Sequence, residues 1–361
     1  MEFYLGKMIL SLNLQDYFTF VVLYTAEFLI ILFFLLISAF SADYAEKYIF
    51  SLLKKKNLSA RLNVCNSLKI LANSFKLFFK EIIVPDKSVK IAFFLAPAIL
   101  LISVLFIYSL IPYNTDFCVN KADSGLVSLI SLILLFSFGI TLGGISSNSN
   151  FSILGAMRHC VQLISFSVPM ILTFMGVAVL SSSLSFPQIV ISQAKYDILS
   201  WYIFPSFLGF VVFFIISSAI VNRSPYNFSN AKSELADGYK TEYSGVNLAI
   251  INLSEFSLFF IINMISVILF FGGFLSPFGV YVADWFSAGS FYYIILTVEQ
   301  MFWLFAKTIF LIFFTLLIQT AFPRLKPVNL ASFSWKYLIP VSIINILIVC
   351  VIKIVFGGFY V

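Results

Sequence analysis

Charge is what this chain has least of. Charged residues fill 11% of its 361 positions, against about 25% in soluble domains. With 61% hydrophobic residues and a mean hydropathy of +1.03, a water-soluble globular enzyme is excluded and a multi-span membrane protein remains. Cysteine is nearly absent, and Cys65, Cys118, Cys160 and Cys350 include no Cys-x-x-Cys pair. Zinc ligation and thiol redox chemistry are excluded on that spacing, leaving thiols in the core or in loops. Histidine is scarcer still: His159 stands alone, is read as a loop or helix-start residue, and has no second ligand nearby for a metal. A cleavable leader is lacking too, because the first apolar run, from Phe18 to Phe40, is long enough to span and has no small-residue cleavage site after a short apolar stretch. Phenylalanine, by contrast, supplies 45 residues where Leu or Ile would insert as well. That bias points to AT-rich coding and an organelle genome.

Apolar runs of about 20 residues, the length of a membrane-spanning helix, are centred near Phe28, Leu101, Leu135, Leu172, Phe213, Ile262, Phe305 and Ile346. The fold class that follows is an all-α integral membrane protein, a single membrane domain over 1–361 with about eight transmembrane helices. Eight spans put both termini on one side, so the bases can be sorted by connection. The first, third, fifth and seventh connections hold ten, one, three and three Lys or Arg, while the other side has only Lys7, Lys121 and Lys195. The positive-inside rule therefore places the odd connections, near 43–89, 144–160, 222–247 and 320–336, in a bacterial cytoplasm or a mitochondrial matrix. Two bases fall within spans. Lys307, at mid-span, requires an internal partner or a wet cavity, whereas Lys353, near the end of the last span, can snorkel.

The first inside connection carries a different pattern. Leu68, Leu71, Phe75, Phe78 and Ile82 recur at helical spacing, with Lys69, Asn73, Lys76 and Lys80 opposite and Pro85 closing the run. This reads as an interfacial amphipathic helix, which at minimum anchors the loop to anionic lipid.

Two polar stretches stand out from the apolar background. Residues 143–166, GGISSNSNFSILGAMRHCVQLISF, open on a Gly-Gly pair and an Asn-Ser cluster, the makings of a short turn whose side chains cap the next helix. Residues 222–245, NRSPYNFSNAKSELADGYKTEYSG, gather acids, bases and amides between two apolar runs. Together they resemble the family of mitochondrial NADH dehydrogenase subunit 1 and its counterpart in bacterial NADH:quinone oxidoreductases, a membrane subunit of respiratory complex I. The resemblance covers about residues 42 to 345. It is carried by Ser147, Asn148, Ser149, Leu154, Gly155, Ala156, Arg158 and Gln162 in the first stretch. In the second it is carried by Asn222, Arg223, Pro225, Ser233, Glu234, Leu235, Gly238, Glu242, Tyr243, Ser244 and Gly245, with Glu255 following. Glu46, Lys47 and the KLFFKE segment at 76–81 fit upstream; Lys307, Pro323, Arg324, Trp335, Lys336 and Pro340 fit downstream.

The resemblance implies a subunit with no redox centre of its own. FMN and iron-sulfur clusters would reside in partner subunits of a peripheral arm, and ubiquinone would be the substrate. The quinone tunnel would be framed by the first span, the interfacial helix, the sixth span and the inside connections, with Glu46, Lys47, Phe75, Phe78, Arg158 and Arg223 as its residues. Glu234, Glu242 and Glu255 would begin a proton path, because carboxylates crowded beside a low-dielectric cavity lose solvation, repel one another and titrate nearer neutrality. Partners would be the other membrane subunits and the quinone module of the peripheral arm, with no nucleic acid. The location would be the mitochondrial inner membrane, or the plasma membrane of a prokaryote.

Several positions depart from the family. Ser167 and Ile220 stand where it has Glu; Asn227, Asn230 and Lys232 replace acids of the fifth connection; Asn73 replaces the Asp of the interfacial helix; Leu58, Ser59 and Ala60 replace a Gly-Pro-Asn turn; and Gln319 replaces an Arg. A relay through this chain would thus be displaced toward Glu234 and Glu242 or supplied by a neighbouring subunit. Two rivals stay open on sequence: a secondary ion transporter using Glu27, Glu255 and Lys307, against which no internal repeat is found, and a purely structural anchor.

Overall fold

The computed structural model describes residues 14–53, 76–114, 122–194, 197–227, 237–279, 290–322 and 331–355. Phe75, Glu234, Cys65, Cys118 and most of the 68–82 run lie outside the described residues. Every regular element within them is helical. In chain order they are α1 (Leu14–Leu53), α2 (Lys90–Leu110), α3 (Gly125–Ser146), α4 (Asn150–Ser181), α5 (Phe186–Ser192), α6 (Phe207–Ile220), α7 (Gly245–Phe270), α8 (Ser290–Ala321) and α9 (Ile339–Val355), the last entered through a π-helical turn at Ser334–Leu338.

All eight expected span centres fall within helices, and among the described residues seven helices are apolar and long enough to cross a membrane. The fifth differs. At 14 residues α6 rises only about 21 Å, short of the about 30 Å a bilayer core requires. The stretch 201–206 before α6 is irregular, with Trp201 and Tyr202 inside the protein and Phe204 facing out. Its backbone is satisfied there by Ile203 N–H donating to the Phe270 carbonyl and Ser206 N–H to that of Tyr202, the condition under which irregular backbone is tolerated at depth.

Helix α7 is the axis of the bundle. From Ser257 to Phe270 every residue is buried, and α7 packs on α1, α2, α6 and α8, while α2 packs on α3, α3 on α4, and α4 on α6 and α9. Lipid offers Leu and Phe the same environment as a core does, so association rests on close packing and interhelical hydrogen bonds rather than on the hydrophobic effect. The Gly143-Gly144 pair shows the first of these. It lies inside α3 rather than in the expected turn, and a Cβ on Gly144 would stand 2.5 Å from Ala156 Cβ and 2.9 Å from the Ser152 carbonyl oxygen. Gly144→Val should therefore force α3 and α4 apart, at about 1–3 kcal/mol for overpacking. Thermal inactivation of detergent-solubilised protein, compared with the unchanged chain, measures the loss.

The Asn-Ser cluster also behaves differently from its sequence reading. Ser149 precedes α4 without a side-chain capping bond. Asn148 takes a left-handed conformation (φ 52°), and its amide donates 3.2 Å to the Lys87 carbonyl. The turn thus ties the start of α2 to the end of α3. That use of its polar groups depends on a residue 61 positions away in sequence, which local capping rules cannot anticipate.

Lys307 meets its expected internal partners. Its ammonium donates to the carbonyls of Phe271 (2.8 Å), Gly273 (3.1 Å) and Leu275 (2.6 Å) and lies 4.2 Å from the Trp201 ring centroid. These carbonyls follow the end of α7, where helical geometry leaves acceptors unpaired. Lys353 does not simply snorkel, since it bonds the Val179 carbonyl and, at 2.5 Å, Ser182 Oγ at the end of α4.

Candidate functional site

One end of the bundle gathers the polar residues. Val89 N–H donates to the Ser146 carbonyl, Ser152 Oγ to the Tyr239 carbonyl, and Ile83 N–H to Ser244 Oγ. The first, third and fifth connections therefore meet. Tyr243 is the clamp among them: its ring stacks on Phe93 at 4.2 Å, and its hydroxyl lies within hydrogen-bonding distance of the Phe93 and Gly143 carbonyls at 3.2 and 3.4 Å. Burial pushes that phenol up to about 12, so it remains a donor at neutral pH. Gly245 is required next to it, because its φ is +57° and a Cβ would meet the Lys80 carbonyl oxygen at 2.6 Å.

That approach reshapes the interfacial segment. The sequence pattern carries a helix to Ile82, but the helix ends at Phe78 and residues 81–85 have no regular structure. Pairing of this stretch with Ser244 takes it out of the helical path. Phe78, Phe79, Ile82 and Ile83 are exposed, as are Lys76, Lys80 and Glu81.

Below this end lie two charged pairs. Asn222 closes α6 in the left-handed conformation (φ 54°), a role Asn fills with little strain, and thereby sends Arg223 back into the bundle. Arg223 forms an ion pair with Glu46 of α1; the side chains are only 14% and 18% exposed. The guanidinium lies over the rings of Phe256 and Phe259 of α7, at 4.7 and 5.2 Å. Gln319 of α8 donates to the other Glu46 oxygen at 3.4 Å. Side chains of α1 and α7 thus hold one largely shielded Arg, with α8 bracing its acid, as expected of a planar cation that can pair and stack together.

The second pair centres on Glu255 of α7. Lys240 reaches its carboxylate at 2.5 Å and Asn252 Oδ1 at 3.1 Å, while the Tyr239 hydroxyl donates to the other carboxylate oxygen. Burial first, and the Glu255 charge after it, hold the Tyr239 phenol well above its usual range. The charge of Arg223 also acts on Glu255, so the two pairs form one electrostatic unit.

Lys47 is 52% exposed and pairs with Asp43 one turn back at 2.7 Å, so it lies on the α1 surface rather than beside Arg223. Arg158 is half-buried on α4, and Glu242 half-buried in the turn before Tyr243. His159 is neither a loop nor a helix-start residue: α4 begins at Asn150, and His159 is 1% exposed, with Nδ1 3.2 Å from Asn222 Oδ1. Sequence reasoning missed Lys240 and Tyr239, although both lie in the polar stretch, because only the fold brings that turn alongside the third turn of α7. Among the described residues no cluster of His, Cys, Asp and Glu could hold a metal ion.

Known proteins resemble this chain over most of its length. A family model described as NADH dehydrogenase matches residues 26–350. The NADH-quinone oxidoreductase subunit 8 of Rhodothermus marinus is 32% identical over 318 residues, which cover 87% of this chain and 92% of that protein. The NADH-quinone oxidoreductase H subunit of two Bacteroides fragilis strains is 33% identical over 301 residues, 82% of this chain and 81% of theirs. With a family model over most of its length, relatives at this identity, and an all-helical bundle of apolar spans, the chain belongs to the NADH dehydrogenase subunit 1 family of multi-pass membrane proteins, bacterial H subunits included.

Proposed function

We propose that this chain is the membrane subunit of respiratory complex I that forms the quinone-access tunnel and links quinone reduction to proton translocation. The observation that carries the reading is the unit of Arg223, Glu46, Lys240 and Glu255, largely shielded from solvent at the end of the bundle where the first, third and fifth connections meet. Within such a tunnel the apolar tail of ubiquinone is held by burial against aliphatic and aromatic side chains. The Arg223 guanidinium attracts the headgroup oxygen as negative charge develops on reduction. Drawing Arg223 toward that oxygen weakens its hold on Glu46 and its field at Glu255, and a carboxylate that loses a nearby cation takes up a proton more readily. Glu234 and Glu242 would supply or receive that proton at the connection, Arg158 would border the tunnel, and Lys47 would serve its rim.

FMN and iron-sulfur clusters belong, on this reading, to partner subunits that deliver electrons from NADH. Exposed Lys76, Lys80, Glu81, Asp86 and Lys87 suit a docking face for those subunits, on the matrix or cytoplasmic side. The mitochondrial inner membrane and the bacterial plasma membrane both satisfy the charge asymmetry. The transporter reading loses one of its supports, since the Lys307 ammonium is taken up by three carbonyls.

Phe78, 41% exposed beside the shortened interfacial helix, lies where a tail would enter. A charge on an apolar membrane path costs about 2.5 kcal/mol or more, so Phe78→Asp should slow quinone reduction at least about tenfold. NADH oxidation by a water-soluble acceptor at the flavin should persist. Equal loss of both rates in assembled complex would contradict a tunnel at this position.

A further inference from the structure

Lys307 lies within the apolar sequence of α8 yet has no acidic partner among the described residues. An ammonium inside a span needs compensation, and here neutral dipoles supply it. Its three N–H groups are matched by three carbonyls, those of Phe271, Gly273 and Leu275 at 2.8, 3.1 and 2.6 Å. The Trp201 ring closes the site with its centroid 4.2 Å from Nζ, within the range at which an aromatic face attracts a cation.

The backbone that follows α7 is folded to bring those carbonyls together. Carbonyls 271, 273 and 275 take the ammonium, whereas the Gly272 carbonyl between them accepts from Leu275 N–H at 3.0 Å. Gly272 and Gly273 both hold positive φ, +70° and +53°, the conformation that this turn demands and that glycine adopts without cost from a Cβ. The N–H groups of the same turn bond elsewhere: that of Gly273 to the Val267 carbonyl at 3.0 Å, that of Gly272 to Gln193 Oε1 at 3.0 Å.

Gln193 gives the turn its shape without help from Lys307. It is fully buried, its Oε1 also accepts from Tyr202 N–H at 3.3 Å, and its amide donates to the carbonyls of Ile189 and Ile268 at 3.2 and 3.1 Å. One side chain thus fastens the turn to α5, to α7 and to the 201–206 stretch. Carbonyls held in advance around one point can replace the hydration shell of a cation. We propose that the carbonyls of Phe271, Gly273 and Leu275, closed by the Trp201 ring, are a preformed ammonium site, that Lys307 is its tethered occupant, and that a free primary alkylammonium takes the site when this side chain is removed. Filling it from α8 ties that helix to the end of α7 and shuts free ions out.

Lys307→Ala deletes the chain from Cγ to Nζ, a gap that n-propylammonium matches atom for atom. Detergent-solubilised full chain is heated, and the fraction left monodisperse is followed. With three carbonyls deprived of donors, Lys307→Ala should aggregate at least about tenfold faster than the unmodified chain. Added n-propylammonium chloride should recover most of that loss. Tetramethylammonium chloride, which has the charge without an N–H, and n-propanol, which has the chain without the charge, should not. The unmodified chain, whose site is filled, should respond to none of them. Lys307→Met, the second variant, keeps a stem in the gap, so ammonium chloride should stabilise it and n-propylammonium chloride should not. Equal rescue by tetramethylammonium, equal stabilisation of the unmodified chain, or no rescue of either variant would each overturn the inference. Failure of both variants to fold would overturn it too, since carbonyls that converge only around the lysine are not a preformed site.

Discussion

Arg223→Met should lower quinone reduction by about 100-fold in complex that still oxidises NADH at the flavin, because one preorganised group facing the charge that develops on the headgroup contributes about 2.7–4 kcal/mol. The substitution keeps an unbranched apolar stem but removes the guanidinium that lies over Phe256 and Phe259. Glu46, 18% exposed, would be left with only the long bond from Gln319 at 3.4 Å. Part of the loss would be structural, and the double variant Glu46→Gln, Arg223→Met isolates it. With both charges gone, packing of α1 against the end of α6 should recover, along with resistance to thermal inactivation. Quinone reduction should stay low, since nothing replaces the guanidinium at the headgroup. Quinone reduction at the unmodified rate in Arg223→Met would remove Arg223 from the site.

Lys240→Met carries the second large effect, on proton movement rather than electron transfer. Lys240 and Glu255 are 11% and 12% exposed, so removing the ammonium strands a carboxylate that retains the Tyr239 hydroxyl and the more distant Arg223 charge. Desolvation then favours protonated Glu255. A permanently protonated acid cannot cycle, so translocation per quinone reduced should fall toward zero, with a destabilisation of about 3 kcal/mol while the acid remains charged. Pairing Lys240→Met with Glu255→Gln should restore thermal stability and leave translocation low. Translocation per quinone matching the unmodified complex in Lys240→Met would exclude Glu255 from the path.

Composition and periodicity determined a large part of this protein without reference to contacts. A chain so poor in charge must span a membrane, and each run near 20 apolar residues must be helical there because lipid offers no partner for backbone groups. All eight centres fell in helices for that reason. The bases sorted by connection, and the polar stretches carried the family resemblance because their residue types keep a fixed order in the chain. The pairings lay beyond it. Arg223 meets Glu46 across 177 residues, the Tyr239 turn meets α7, and His159 meets Asn222 across 63 residues. Local pattern likewise misplaced the end of the interfacial helix, the Gly-Gly pair and His159, each through a contact distant in sequence: Ser244 against Ile83, Ala156 against Gly144, Asn222 against His159. Hydropathy records whether a residue tolerates lipid, a property of the residue alone. Which charge faces which depends on how helices pack, and only the tertiary structure decides that.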